Sequence, residues 1–307
     1  MCSAFLGLGK IAIFRLKMRN EVRSEAARPE KSPEEGLAKR TLAAGDGWSV
    51  HHVVCRAGPS DRPFEERHEG FSISAVVEGS FTYRSDAGDR LLYPGALLLG
   101  NNGRCFECGH AHGRGDRCVS LNVREDLFGE VAASAASTGR FQFLAASLPP
   151  TLASLPIFAM LEGLCSAASP HQGEELMLRL IERVLAALAA AQRSPVAPTG
   201  REARRVVEAI RFVESDAARA VRLQDLAAIA GMSKYHFLRV FRRLTGVTPH
   251  QYLISARMRR AALGLASSRR PVLDVALDAG FGDLSTFNRR FRATFGLTPT
   301  QYRASRL

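Results

Sequence analysis

No stretch of this 307-residue chain is long and apolar enough to cross a bilayer as a helix. The nearest approach, CSAFLGLGKIAIFRLK over residues 2–17, is interrupted by Lys10 and Arg15, and no signal-peptide cleavage site follows it. No membrane association is expected, and the chain reads as soluble and cytoplasmic. Thiols are kept reduced in that compartment, so the six cysteines are not expected to form structural disulfides. Equally lacking is a pairing of carboxylates, or of a nucleophile with a base, that would mark a catalytic centre, and no enzyme is expected. Net charge is missing from residues 1–200, where 22 Lys and Arg meet 22 Asp and Glu. Residues 201–307 hold 20 against 8, so the whole excess of +12 lies in the C-terminal third. A basic surface of that kind suits a phosphate-bearing partner.

What that third does contain is an internal repeat. LQDLAAIAGMSKYHFLRVFRRLTGVTPHQY (Leu223 to Tyr252) is followed by VLDVALDAGFGDLSTFNRRFRATFGLTPTQY (Val272 to Tyr302). Leu226, Ala227 and Gly231 recur as Val275, Ala276 and Gly280, an offset of 49. One residue then enters the turn, and Phe237, Arg239, Phe241, Arg242, Gly246, Thr248, Pro249, Gln251 and Tyr252 recur 50 positions later, from Phe287 to Tyr302. Agreement this dense marks a duplicated structural unit. Each copy reads as a short apolar helix, a glycine turn and a second helix capped by Ser233 or Asp283. Three- and four-residue spacing turns Phe237, Val240 and Phe241 inward, with Phe287 and Phe291 in the second copy. Gly246 and Gly296 end these helices, and Thr248-Pro249 and Thr298-Pro299 open the next.

On these residues, 201–307 resembles the DNA-binding domain of AraC/XylS-type transcription regulators, and Gly280 to Arg303 matches the family's characteristic segment closely. The resemblance implies seven helices with two helix-turn-helix motifs, held apart by a linking helix over about Pro249 to Ser267. It also implies double-stranded operator DNA and RNA polymerase as partners. Carried over position by position, Tyr235, Leu238 and Arg239 of the first unit, and Leu284, Ser285, Asn288 and Arg289 of the second, would face base edges. The two arginines suit bidentate guanine contacts and Asn288 suits adenine. Leu284 departs from the family, which more often has a polar residue there. Lys234, Arg242, Arg243, Arg290 and Arg292 would hold phosphates.

Residues 48–125 alternate in short apolar runs broken by Gly, Pro, Asn and Asp, as strands do. They look like the small, cupin-like β-barrel that senses effectors in this family. Leu98 stands where an enzymatic cupin places a metal-binding histidine. A separate group, CFECGHAHGRGDRC, brings Cys105, Cys108, His110, His112 and Cys118 within 14 residues. Cys55 and His68 could join them by strand pairing. Three readings stay open: ligation of zinc or another transition metal, a redox-responsive dithiol, and cysteines serving as small buried residues. Strand alternation would send Cys105 and Cys108 to opposite faces unless a turn lies between them.

Residues 126–193 read as helical. Leu176, Leu180, Ile181, Val184, Leu185 and Leu188 form one apolar face, which either packs on the barrel or pairs two subunits, as the family does. Residues 194–200 are a proline-containing linker. Residues 1–47, Arg- and Glu-rich over 17–40, are expected to be a disordered extension, with Met18 a candidate start. The fold expected is thus α+β and multidomain: a sensing barrel over 48–125, a helical dimerisation segment, and an all-α reader over 201–307. The function expected is a DNA-binding regulator, homodimeric and responsive to an effector, a metal or redox state. A metal-dependent cupin-like enzyme tethered to DNA and a non-sensing DNA binder are the alternatives.

Overall fold

A computed structural model describes residues 36–111, 115–135, 141–165, 169–190, 200–219 and 221–305. Residues 37–45 are not part of an extension. They form β1 (Leu37–Gly45), paired antiparallel with β2 (Trp48–Cys55) through the Asp46-Gly47 turn. Gly47 sits there at φ 74°, the left-handed conformation that Asp-Gly hairpins require.

Eight further strands follow: β3 (Phe64–Arg67), β4 (Phe71–Gly79), β5 (Phe81–Ser85), β6 (Arg90–Leu92), β7 (Leu97–Gly100), β8 (Cys105–Gly109), β9 (Asp116–Val123) and β10 (Ser147–Leu148). They make a six-stranded sheet in the order β1-β2-β9-β4-β7-β10 and a four-stranded sheet in the order β3-β8-β5-β6. The expected barrel is therefore a pair of sheets that does not close, because among the described residues no strand of one pairs with a strand of the other. The chain passes between them at corners instead. At Gly79 (φ 83°) it leaves β4 for β5, and a Cβ there would lie 2.3 Å from the Gly115 carbonyl oxygen. Val76, Phe81, Tyr83, Leu92, Leu98 and Cys118 are among the buried side chains of this domain.

Helices α1 (Glu125–Ala135), α2 (Leu155–Leu164) and α3 (Pro170–Ala190) cover the six-stranded sheet. The apolar face of α3 packs within the chain: Met177, Leu180, Ile181 and Val184 are fully buried in one cluster with Ile73, Leu97, Leu121 and Phe128. Leu176, Leu185 and Leu188 are only half-buried at its margin.

The C-terminal domain holds seven helices among the described residues: α4 (Gly200–Ser215), α5 (Leu223–Ile229), α6 (Lys234–Thr245), α7 (Pro249–Ser267), α8 (Val272–Asp278), α9 (Leu284–Phe295) and α10 (Pro299–Ala304). Helix α7 has the bounds expected of the linking helix. Its buried residues serve both halves, with Tyr252 and Leu253 in the core of the first unit and Met258, Ala262 and Leu265 in that of the second.

The domains meet over a buried seam. The Tyr93 hydroxyl, just after β6, donates to the Thr245 carbonyl at the end of α6 (2.6 Å), and Tyr93 meets Tyr252 edge to face. The Tyr252 hydroxyl lies 3.2 Å from the Pro94 carbonyl and 2.6 Å from Glu214 Oε1, which also accepts from Arg259 Nη2 (2.6 Å). Gly95 lets the guanidinium in, since a Cβ there would come 2.1 Å from Arg259 Nη1.

Candidate nucleic-acid interface

Each repeat builds a two-helix unit, α5–α6 and α8–α9, whose second helix is tightly specified at both ends. Ser233 Oγ accepts the His236 amide at 3.4 Å and Asp283 Oδ1 the Thr286 amide at 2.7 Å, so both helices start on an N-cap. Gly246 and Gly296, both at φ 74°, end them in the left-handed conformation. Thr248 with Gln251, and Thr298 with Gln301, then close reciprocal capping boxes on α7 and α10. Phe237, Phe241, Phe287 and Phe291 are fully buried, which fixes the face each recognition helix turns outward.

On that face the first helix presents Lys234, Tyr235, Leu238, Arg239 and Arg242, all exposed. Tyr235 is 84% exposed. Arg239 Nη2 approaches His236 Nδ1 at 3.2 Å. The second helix presents Ser285, Asn288, Arg289 and Arg292, also exposed, while Leu284 and Arg290 are half-buried. A shallow groove of about 750 Å³ between α9 and α10 is lined by Leu284, Asn288, Arg289, Arg292 and Thr298. Arg243 is engaged elsewhere, through an ion pair with Glu202 of α4 at 2.5 Å.

The two turn glycines differ in what they tolerate. Gly231 (φ 59°) has open space where a Cβ would stand, so Gly231→Ala carries only the left-handed penalty of about 1–2 kcal/mol. Gly280 (φ 94°) faces Ala218 Cα at 2.8 Å and the Ala217 carbonyl oxygen at 2.9 Å, both backbone that cannot swing away. Gly280→Ala is expected to cost clearly more than Gly231→Ala in paired urea denaturations.

The residues singled out in the N-terminal domain separate into two groups. Cys105 and Cys108 lie on one continuous strand, β8, with no turn between them, so the alternation that sends them to opposite faces holds and no C-x2-C half-site forms. His112 lies outside the described residues. His68 joins Phe106, on whose ring it stacks at 4.2 Å, and its Nε2 hydrogen-bonds with the Tyr83 hydroxyl at 2.8 Å. Cys55, His110 and Asp116, by contrast, bring one ligand atom each within 4.8 Å of one another, all buried. His110 Nε2 and Asp116 Oδ2 are 2.6 Å apart, and Cys118 Sγ donates to Asp116 Oδ1 at 3.3 Å. Asp116 is the member the sequence does not announce. Its place depends on the β2–β9 register, which sets it opposite Cys55.

Burial lowers the His68 imidazole to about 4. An unfolded histidine takes up its proton near 6.5, so between pH 6.5 and 4 the unfolded chain binds more protons than the folded one. The stability present above pH 6.5 is therefore lost as pH falls through that window, by roughly 3 kcal/mol in total. His68→Gln keeps a hydrogen-bonding partner for Tyr83 and should remove this slope from denaturation curves recorded across the window. An unchanged slope would place the titration elsewhere.

Comparison with known proteins agrees with the geometry. A helix-turn-helix domain model matches residues 226–305. The chain is 32% identical over 102 residues to the Transposon Tn10 TetD protein of Escherichia coli, covering 33% of this chain and 74% of that one. The chain belongs to the AraC family of transcription regulators. As an AraC-type protein it also resembles, beyond the reader, the uncharacterized HTH-type transcriptional regulator YbfI of Bacillus subtilis. The match there is 29% identical over 223 residues, 71% of this chain and 78% of that one. Among solved structures, the DNA-binding domain of AdpA in complex with a target DNA is 34% identical over 33% of this chain and 90% of that one, with a TM-score of 0.32. The AraC-type domain makes the chain a DNA-binding transcription regulator. No helix among the described residues is long and apolar enough to cross a membrane.

Proposed function

We propose that this regulator reads a bipartite operator, one half with α6 and the other with α9. The carrying observation is the outward face of the two recognition helices, set at the two ends of α7. At 1.5 Å per residue, 19 helical residues span about 28 Å, which suits readers in successive major grooves roughly 34 Å apart. Tyr235, Leu238, Arg239, Leu284, Ser285, Asn288 and Arg289 take the base edges, and Lys234, Arg242, Arg290 and Arg292 the phosphates. Arg243 reaches a phosphate only by leaving Glu202.

The N-terminal domain acts as the sensor of a small effector. A signal there has a short route to the reader, because Tyr93 holds the last residue of α6. Contact with RNA polymerase, a cytoplasmic location, regulation rather than catalysis, and pairing of two copies through the half-buried leucines of α3 belong to the same reading. The test is the salt dependence of binding to duplex DNA. Affinity should fall steeply with ionic strength, and Arg242→Ala should flatten the slope by about one phosphate contact without changing base preference. A slope unchanged by every one of these arginines would contradict the proposed face.

A further inference from the structure

The buried cluster between the two sheets of the N-terminal domain carries chemistry that DNA reading does not use. Three strands supply it. β2 ends on Cys55, β9 begins opposite it at Asp116 and continues to Cys118, and His110 follows β8 of the facing sheet. Cys118 pairs with Val53, two positions before Cys55, so both thiols and the carboxylate share one face of the six-stranded sheet. His110 comes down on that face from the other side, to 2.6 Å from Asp116. The Phe81 ring stacks near the imidazole at 5.8 Å, and Val76 and Leu98 are buried in the same cluster as Cys118.

Such a set is costly to bury for packing alone. A thiol would be served as well by alanine or valine, and a buried carboxylate needs compensation. Here Asp116 is bonded by the His110 imidazole and by the Cys118 thiol.

We infer that Cys55, His110 and Asp116, joined by Cys118, whose Sγ touches Asp116 but lies outside the 4.8 Å triad and must swing inward, form a binding site for a borderline-soft divalent transition metal of the zinc class. One nitrogen, one oxygen and two sulfurs are a donor set that zinc takes tetrahedrally. Ligand atoms around a tetrahedral zinc stand roughly 3.3–3.8 Å apart, so His110 and Asp116 need open by under an ångström to admit the ion in place of their shared proton. Binding then releases three protons, one from each thiol and the one between imidazole and carboxylate, and leaves two thiolates and a carboxylate on the ion. No redox change is involved. The ion would clamp β8 of the four-stranded sheet to β2 and β9 of the six-stranded one. It would sit two strands away from β6, after which Tyr93 grips the first reader. This site stands independently of the operator reading.

The test is a cobalt(II) titration of the reduced, tag-free full chain under anaerobic conditions. One cobalt per chain is expected, with thiolate-to-cobalt charge transfer in the near ultraviolet, the intense visible bands of tetrahedral coordination, and displacement by zinc. Cys55→Ser/Cys118→Ser should lose the charge transfer, whereas Cys105→Ser/Cys165→Ser should keep it. The wild-type titration does not depend on how any variant folds. No uptake by the wild type in molar excess of cobalt would overturn the site, as would a charge-transfer band that survives in a folded Cys55→Ser/Cys118→Ser protein. Loss of two thiols to peroxide without cobalt uptake would also overturn it, in favour of a dithiol switch.

Discussion

Phe287→Ala is expected to destabilise the second reader by about 3–5 kcal/mol, the range for deleting a fully buried aromatic ring. Phe287 has no exposed surface, and it stacks obliquely on Phe281 at 5.1 Å and Phe291 at 5.4 Å. The same cluster contains Met258 and Leu265 of α7 and Val275 of α8, so the cavity would open at the point where three helices converge. The first reader has its own core around Phe237, Phe241 and Tyr252, with α7 as the common wall. Urea denaturation should therefore show the second unit melting early, and DNA affinity should fall toward that of a single reader. A loss of under 1 kcal/mol would mean that α9 is not held by this core.

The reader domain was legible because its code is local and written twice. Caps, turn glycines and inward phenylalanines sit at fixed offsets, and two copies check each other. Even the bounds of α7 follow from Thr248-Pro249 and the start of the second copy. The sheet domain was harder, because strand pairing is non-local. Alternation points to β2, β4, β5, β6, β7 and β9 but not to β3 or β8; closure into a barrel is not encoded in alternation, and the chain turns corners at glycines such as Gly79 instead. LAKRTLAAG has little apolar alternation and follows a charged stretch, so β1 is not visible in the sequence pattern although Asp46-Gly47 is a hairpin signal. The cysteine cluster shows the same limit. The C-x2-C spacing pointed to Cys105 and Cys108 as partners, whereas register across β2 and β9 selects Cys55, Asp116 and Cys118. The apolar face of α3 needs a cover, and the sheet supplies most of it.

Arg239→Ala and Arg289→Ala should each remove about 1–3 kcal/mol of base discrimination, or roughly five- to 150-fold in relative affinity for the preferred base. Both side chains are exposed on helices whose inward faces are locked, and neither is tied to a carboxylate by a described ion pair. The effects should be local to one half of the operator each and, because the readers are separate, nearly additive. Binding to non-specific DNA should fall far less, by the one charge removed. Competition assays with single-base operator variants would read this directly. Equal losses on all sequences would demote the two arginines from base readers to phosphate contacts.

The decisive measurement is selection from a random duplex pool by the wild-type protein, Arg239→Ala and Arg289→Ala. Two conserved half-elements centred about one helical turn apart are expected, with each variant losing preference in a different half. A single contiguous element, or one that both variants select unchanged, would contradict a rigid pair of readers joined by α7.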